Sequence, residues 1–565
     1  MEEAYVVSLL WPSLESKEKF GHSVNLTEQN IFDLGIDQIA QEICSNPHFL
    51  DETKQMLLHF CSDPAVIQYR LDIIEDFVIN PALTSYFDDI IPVIHKLDSY
   101  NDGKFVAGAD LFRKMAWHLQ TLNVYVECLY KLNSIMKKFR YNIKSKGLRM
   151  LDDLIETTLK SAQFQSLAAE LPLLNGKLQN MSSVTIGINL DSELRPVEAV
   201  FLSVESNPIK KRSILSKFLG LNSNEEGYMG ISQFHSIAKK DTPTPFENAL
   251  FDDLHGIFKG AFLPILATIR QYTSINTRLI TSLERELCFY IGMAKYIEKL
   301  EALGIQMCKP MIAPIEQRIC RIENLVDPIL AMKMSERFHG RDAITSIVTN
   351  DIEFGPDGTV FILTGPNQGG KTTYTRSIGL AQVLFQAGCY IPGSKAHMSP
   401  VDRIFTHFSL EEKPNIEFGR LGEESKRLAD IFEYATRYSL LLLNESLSST
   451  SPGESLYLSI DIVKGIKLLG CRAVFATHLH ELAASVDMIN SEEEGDGKLI
   501  SMVSCVKRSE DGKATRTYKV VPSPPQGRSF AEDIANQYGI SLNQIRDTLR
   551  KRELIKDTLL GESSK

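Results

Sequence analysis

Closely paired cysteines are missing from this chain. Its nine cysteines never fall in a C-x-x-C spacing, their number is odd, and nearly all sit among apolar neighbours. That pattern excludes a disulfide framework and a structural zinc site, and it fits a reducing cytoplasm. Long apolar runs are also missing: none approaches the ~18 residues that a membrane span requires. The start, Met1-Glu2-Glu3, has neither a basic stretch nor an apolar core behind it, so a soluble protein that is not exported is expected. Positive charge is in deficit, with 61 Lys and Arg against 71 Asp and Glu, a formal net charge of −10. A surface of that balance repels nucleic acid as a whole, so any contact with DNA or RNA must come from a local basic patch. Internal repeats and long low-complexity tracts are absent too. What remains is 565 residues with 43% hydrophobic content, enough for three or four domains of ~150 residues with cores of their own.

Residues 1 to about 340 read as predominantly helical. Met115, Leu119, Leu122, Val126, Leu129 and Met136 recur at alternating steps of four and three, which lays one apolar stripe along a helix. Leu279, Leu283, Leu287, Ile291, Ile297 and Leu300 repeat the pattern, and Gly304 follows as a stop signal. Between these helices Val184–Leu190 alternates with period two, Asp191-Ser192 supplies a turn, and Ala199–Val204 forms a second run, so a β-hairpin is expected near 184–204. Residues 205–245 are polar and loop-rich. After about residue 340 the texture changes to short apolar runs, at Thr359–Leu363, Leu440–Leu443 and Ala473–Phe475, separated by helical stretches. That alternation predicts a parallel sheet covered by helices.

The strongest motif is Gly365-Pro366-Asn367-Gln368-Gly369-Gly370-Lys371-Thr372, followed by Thr373, which fits G-x-x-x-x-G-K-[ST] between a predicted strand and a predicted helix. Glycines let backbone N–H groups wrap a phosphate chain, Lys371 reaches the outer phosphates, and Thr372 can ligate magnesium. A second strand ends in Asn444-Glu445. Glu445 can accept the proton of the water that attacks a γ-phosphate. Asn444 stands where an Asp usually secures the magnesium, and a neutral amide holds a dication less well. A third strand ends in Phe475-Ala476-Thr477-His478. Alone, His478 reads as a structural histidine; with the other two elements in register, it is placed to sense the γ-phosphate. Glu417–Ser425 and Ser446–Glu454 are either exposed connectors or contacts to a second copy's phosphate loop.

Taken together, Thr364–Tyr374, Asp402–Thr406, Tyr438–Glu445, Phe475–His478 with Glu481-Leu482, and Gly527–Ala535 resemble the ATPase domain of MutS-type DNA mismatch repair proteins. The likeness is close over about 340–545 and much less specific upstream. It implies a multidomain chain: an N-terminal segment (1–50), a helical core and lever region (51–340) carrying the hairpin, an ABC-type P-loop ATPase domain (341–545) and a helical tail (546–565). It further implies ATP and Mg2+ as ligands, a homodimer in which both protomers touch each nucleotide, and ATP state transmitted through lever helices to DNA. The length leaves no room for the family's mismatch-reading and connector domains, and no Phe-x-Glu wedge lies near the start, so mismatch reading is not expected. Besides Asn444, the chain departs from the family at Ile347, where an adenine-stacking aromatic is usual, at Gly419 in place of a signature Ser, and in the Leu447–Thr450 loop. Slow hydrolysis is the expectation.

For DNA, Lys137, Lys138, Arg140, Lys144, Lys146 and Arg149 place six cations within thirteen residues, interleaved with Phe139 and Tyr141. The cluster is either a solvated helix end or a set of phosphate contacts. Lys210-Lys211-Arg212 is a weaker second candidate. The alternative to a DNA-dependent ATPase is a catalytically decayed, nucleotide-responsive interaction protein with a protein partner.

Overall fold

The computed structural model describes residues 7–21, 26–44, 46–58, 61–101, 111–179, 183–194, 196–205, 267–269, 271–272, 275, 277–338, 347–409, 420–508, 514–525 and 539–552. The 205–245 loop beyond Glu205, with Lys210–Arg212, the Gly419 position and the Gly527–Ala535 segment lie outside these residues. Among the described residues no helix is long and apolar enough to cross a membrane.

The described residues fall into two compact units. The smaller takes in residues 89–138 and 151–284. Here the periodic stripe forms a helix that begins at Leu111, a turn ahead of the expected start, and ends at Phe139. Helix Ala162–Gln179 lies beside it, and the amides of Asn123 and Asn175 bond each other reciprocally at 2.7 and 3.0 Å. The hairpin pairs Ser183–Leu190 antiparallel with Pro196–Glu205. Its turn is set by the Asp191 carboxylate, which accepts from the Glu193 N–H at 2.9 Å.

The larger unit takes in residues 1–88, 139–150 and 285–565. Its centre is a six-stranded sheet in the order Ile404–Phe408, Leu440–Asn444, Arg472–Ala476, Val360–Thr364, Leu499–Arg508, Ala514–Pro522. The first five run parallel, as the alternating texture predicts, but the last is antiparallel and closes the sheet with a hairpin. Leu440–Asn444, Arg472–Ala476 and Val360–Thr364 are buried along their whole length, which is why they read as unbroken apolar runs. Helix Lys371–Gln386 packs on this sheet, and a Cβ at Gly379 would fall 2.7 Å from Leu442 and 2.4 Å from Leu34. Only glycine permits that approach. Helix Pro452–Leu469 starts at an N-cap, Ser451, with Pro452 in its first turn, and stops at Gly470, whose φ of 72° a side chain would resist. A short helix, Glu28–Leu34, capped reciprocally by Thr27 and Asn30, lies against the outer strand Ile404–Phe408; Asn30 Nδ2 donates to Thr406 Oγ1 at 2.9 Å.

The stretch before residue 340 is not all helix. Met307–Cys308, Met311–Ile312 and Cys320–Leu325 are strands, two of them belonging to a second sheet ordered Met311–Ile312, Lys395–Met398, Cys320–Leu325, Asn350–Phe354. Arg472 is fully buried between the sheets, its guanidinium donating to the carbonyls of Ile319, Ser399 and Pro400 at 2.8–3.2 Å. Desolvation lowers its pKa to about 10, so the charge persists at neutral pH.

Candidate nucleotide site

The parallel register levels the strand ends: Asn444 faces Ala476, and Ala476 faces Leu363. The loop after Thr364, Glu445 and His478 therefore emerge at one edge, the carboxyl edge where open α/β sheets take ligands. The loop backbone is held in conformations that glycine tolerates. Gly365 has φ 144° and Gly370 φ 94°, and a Cβ at Gly369 would come within 2.8 Å of the Pro366 carbonyl. Gln368, with φ 58°, adopts the left-handed region without that freedom. Gly370 caps the helix that begins at Lys371, so the free N–H groups of its first turn face the loop.

Lys371 is 4% exposed. Its ammonium donates to the carbonyls of Gly365 at 3.1 Å and Pro366 at 3.2 Å, and lies 3.4 and 3.5 Å from the two nitrogens of His478. Burial pulls its pKa down to about 8, with the Glu445 carboxylate opposing. His478 Nε2 is 2.8 Å from Glu445 Oε1. A carboxylate only accepts, so Nε2 carries the proton. That bond, more than the nearby Lys371 charge, holds the Glu445 carboxyl below the usual range. Glu445 itself has φ 54° and donates its N–H to the Ala476 carbonyl at 2.8 Å. A strained backbone at a carboxylate so placed is the kind that folds retain at working sites. Thr372 Oγ1 donates to Asn444 Oδ1 at 3.2 Å. Loop, carboxylate, imidazole and the Thr372–Asn444 pair thus lie together, as the motif spacing predicts; their roles are taken up below.

Two features escaped the sequence. Ser504, in the middle of strand Leu499–Arg508, donates its hydroxyl to the Gly369 carbonyl and packs on Gly365. His407, fully buried at the end of strand Ile404–Phe408, contacts Ser446 Oγ at 2.7 Å and the Glu424 carbonyl at 3.2 Å, tying the residue after Glu445 to helix Arg420–Tyr434. A histidine inside an apolar strand was the available signal. Burial lowers the His407 pKa to about 4, helped by Arg427. Protonation is then easier in the unfolded chain, near 6.5, than in the fold. Stability should therefore be full above about pH 6.5 and fall by up to about 3 kcal/mol as pH drops toward 4. Urea midpoints at pH 7, 6 and 5 should decline in the parent, and decline less steeply in His407→Gln.

The six basic side chains are all exposed. Lys137 and Lys138 end their helix, and Asp76 pins the following turn by accepting from the N–H groups of Lys144, at 2.9 Å, and Ser145, at 2.8 Å. Arg149 donates to the Ile143 carbonyl. The two aromatics part company: Tyr141 is 95% exposed, whereas Phe139 is buried edge-on against Tyr86 and belongs to the core.

A glycine cradle at a helix start, with a carboxylate and an imidazole on the neighbouring strand tips, is the arrangement of a P-loop nucleotide-binding domain. Residues 361–551 match the family model of MutS domain V, and residues 62–303 that of the MutS2 N-terminal domain. The DNA mismatch repair protein MutS of Clostridium perfringens is 24% identical over 453 residues, which is 77% of this chain and 46% of that protein. MutS of Chlorobium limicola is 37% identical over 177 residues, 31% of this chain and 19% of that protein. MutS of Lactobacillus gasseri is 26% identical over 286 residues, 48% of this chain and 32% of that protein. The matched part of the chain spans less than half the length of these relatives. Both stretches of the chain that a family model matches are thus similar to MutS-type domains.

Proposed function

We propose that this protein binds and slowly hydrolyses ATP, works as a homodimer through its ATPase domain, and couples its nucleotide state through a helical lever region to DNA. The observation that carries the reading is the placement of His478 between Lys371, at 3.4 Å, and Glu445, at 2.8 Å, beside the glycine loop. Gly365–Thr373 cradle the phosphates with backbone N–H groups. Lys371 exchanges its two loop carbonyls for phosphate oxygens, a charge-assisted contact in a desolvated place. Glu445 takes the proton from the attacking water, and His478, whose Nε2–H orients that carboxylate, stands beside it as the sensor of the γ-phosphate. The Thr372 hydroxyl and the Asn444 amide oxygen are neighbouring hard oxygen donors, and they suit magnesium. When bound, the ion would spread the charge building on the phosphate oxygens.

Asn444 explains why turnover should be slow: it offers a dipole where a carboxylate would offer a charge. Asn444→Asp should lower the magnesium concentration needed for half-maximal activity by about tenfold and raise kcat, because charge count sets affinity at such oxygen sites. A magnesium titration of steady-state ATPase activity measures it.

Lys137, Lys138, Arg140, Lys144, Lys146 and Arg149 are our candidates for DNA contact. No base-reading motif accompanies them, so recognition of backbone or shape is expected. The test is ATPase activity with duplex, branched and single-stranded DNA at low and high salt. Stimulation that fades with salt, and that Arg140→Glu with Lys144→Glu removes, supports the reading. No stimulation and no DNA binding at low salt would favour the second reading, a decayed nucleotide-responsive interaction protein, for which the Asn444 amide speaks.

A further inference from the structure

The residues on either side of Ser446 share an unusual backbone. Glu445 has φ 54° and Leu447 φ 61°, so the chain enters the left-handed region twice within three residues, and neither residue is glycine. Side chains adopt that conformation only where their surroundings impose it. Three holds are visible on this turn. The Glu445 N–H donates to the Ala476 carbonyl at 2.8 Å, and Leu447 is buried in the core cluster that also contains Leu428, Ile431 and Leu482. The third hold is the hydroxyl of Ser446, itself buried, against His407 on the neighbouring strand.

The chemistry of that contact fixes its direction. His407 Nε2 lies 3.2 Å from the Glu424 carbonyl, which only accepts, so Nε2 carries the proton of a ring that burial keeps neutral. Nδ1 is then a bare acceptor, and the Ser446 hydroxyl donates to it at 2.7 Å. The same oxygen lies 3.1 Å from the His407 carbonyl, so the ring and the main chain of one residue grip the hydroxyl together. Strand Ile404–Phe408 and helix Arg420–Tyr434 thus both act on the turn through a single imidazole.

We propose that Ser446 and His407 are positioning residues for the hydrolytic step: the bond between them sets the backbone angles at Glu445 and so aims its carboxylate at the attacking water. This rests on the reading of Glu445 as the proton acceptor, and adds to it the residues on which its aim depends. A rotation about φ at Glu445 would carry the carboxylate away from His478 Nε2, now 2.8 Å distant, and misplacement by about 1 Å costs about a hundredfold in rate. The groups that hold the phosphates lie on the glycine loop and the helix after it, so ATP affinity should not register the change.

Single-turnover hydrolysis and calorimetric titration with ATP, on the full chain with magnesium, test it. Ser446→Ala should slow hydrolysis by about tenfold to a hundredfold and leave ATP affinity at the parental value. His407→Leu should do the same, and the double variant should be no slower than either single one, because both break the same bond. His407→Gln should recover most of the rate: its amide oxygen can accept from Ser446 while its amide nitrogen donates to the Glu424 carbonyl, as the two ring nitrogens do. In a Glu445→Gln background, Ser446→Ala should cause no further loss, since the carboxylate it aims is already gone. A general loosening of the fold would slow both backgrounds alike. The assignment is overturned if Ser446→Ala hydrolyses at the parental rate, if ATP affinity falls in step with the rate, or if the loss is equal in the Glu445→Gln background. These outcomes decide it even where His407→Leu fails to fold. A Glu445→Gln protein that hydrolyses like the parent removes the reading of Glu445 and the proposal with it; a collapse in Glu445→Gln beside a parental Ser446→Ala sinks the proposal alone.

Discussion

Lys371→Ala should reduce ATP affinity at least about a hundredfold, which is about 2.8 kcal/mol at about 1.4 kcal/mol per tenfold. The size follows from burial. At 4% exposure, the ammonium meets phosphate oxygens with little water to screen the attraction. Calorimetric titration with ATP, beside a thermal melt that checks folding, measures it. The parent carries a further signature. Because the amine has its pKa near 8, ATP affinity should hold below that pH and decline above it as the charge is lost. Bound phosphate favours the charged amine, so in the decline each binding event should take up a proton. Affinity that is flat from pH 7 to 9.5 would remove Lys371 from the phosphates.

Glu445→Gln should cut single-turnover hydrolysis by about a hundredfold to ten-thousandfold while ATP stays bound. The amide has the shape of the carboxylate, and its oxygen can still accept from His478 Nε2, so the imidazole keeps its place. What disappears is an acceptor for the water's proton, together with a negative charge close to the γ-phosphate. Affinity for ATP should therefore rise or stay level while kcat collapses. Radiolabelled ATP surviving gel filtration with the variant, and released as ADP by the parent, is the expected record. Hydrolysis at the parental rate would take Glu445 out of catalysis. In the parent, the His478 bond keeps the carboxylate ionised to lower pH than an ordinary glutamate, so this step should hold through mild acidity and fail only when Glu445 protonates.

The parts of the site that the sequence discloses are those set by short-range rules. Gly365, Gly370 and Lys371 sit at fixed offsets because a loop that wraps phosphate needs those backbone angles there. Four leucines before Asn444 mark a strand covered on both faces. What stays hidden is whatever depends on partners far along the chain. Strands Met307–Cys308 and Met311–Ile312 have two residues each, lie beside Pro310 and Pro314, and pair with residues near 391–398, so no local period betrays them. The bulge at Tyr518, where Ser504 pairs with Val520 and Val506 with Arg516, appears only once strand Ala514–Pro522 is laid against strand Leu499–Arg508. Phe139 and Tyr141 look alike in sequence, yet the alternation of a turn sends one into the core and the other to solvent.

Helix Glu28–Leu34 sits on the outermost parallel strand, Ile404–Phe408, through Asn30 and Thr406. Such a border strand carries a row of unsatisfied amides and carbonyls, and left bare it invites another polypeptide to add itself to the sheet. Residues 28–34 thus act as a guard rail for this border of the sheet. Trimming them would cost more than a few contacts: the shortened protein would be prone to stick to its own copies.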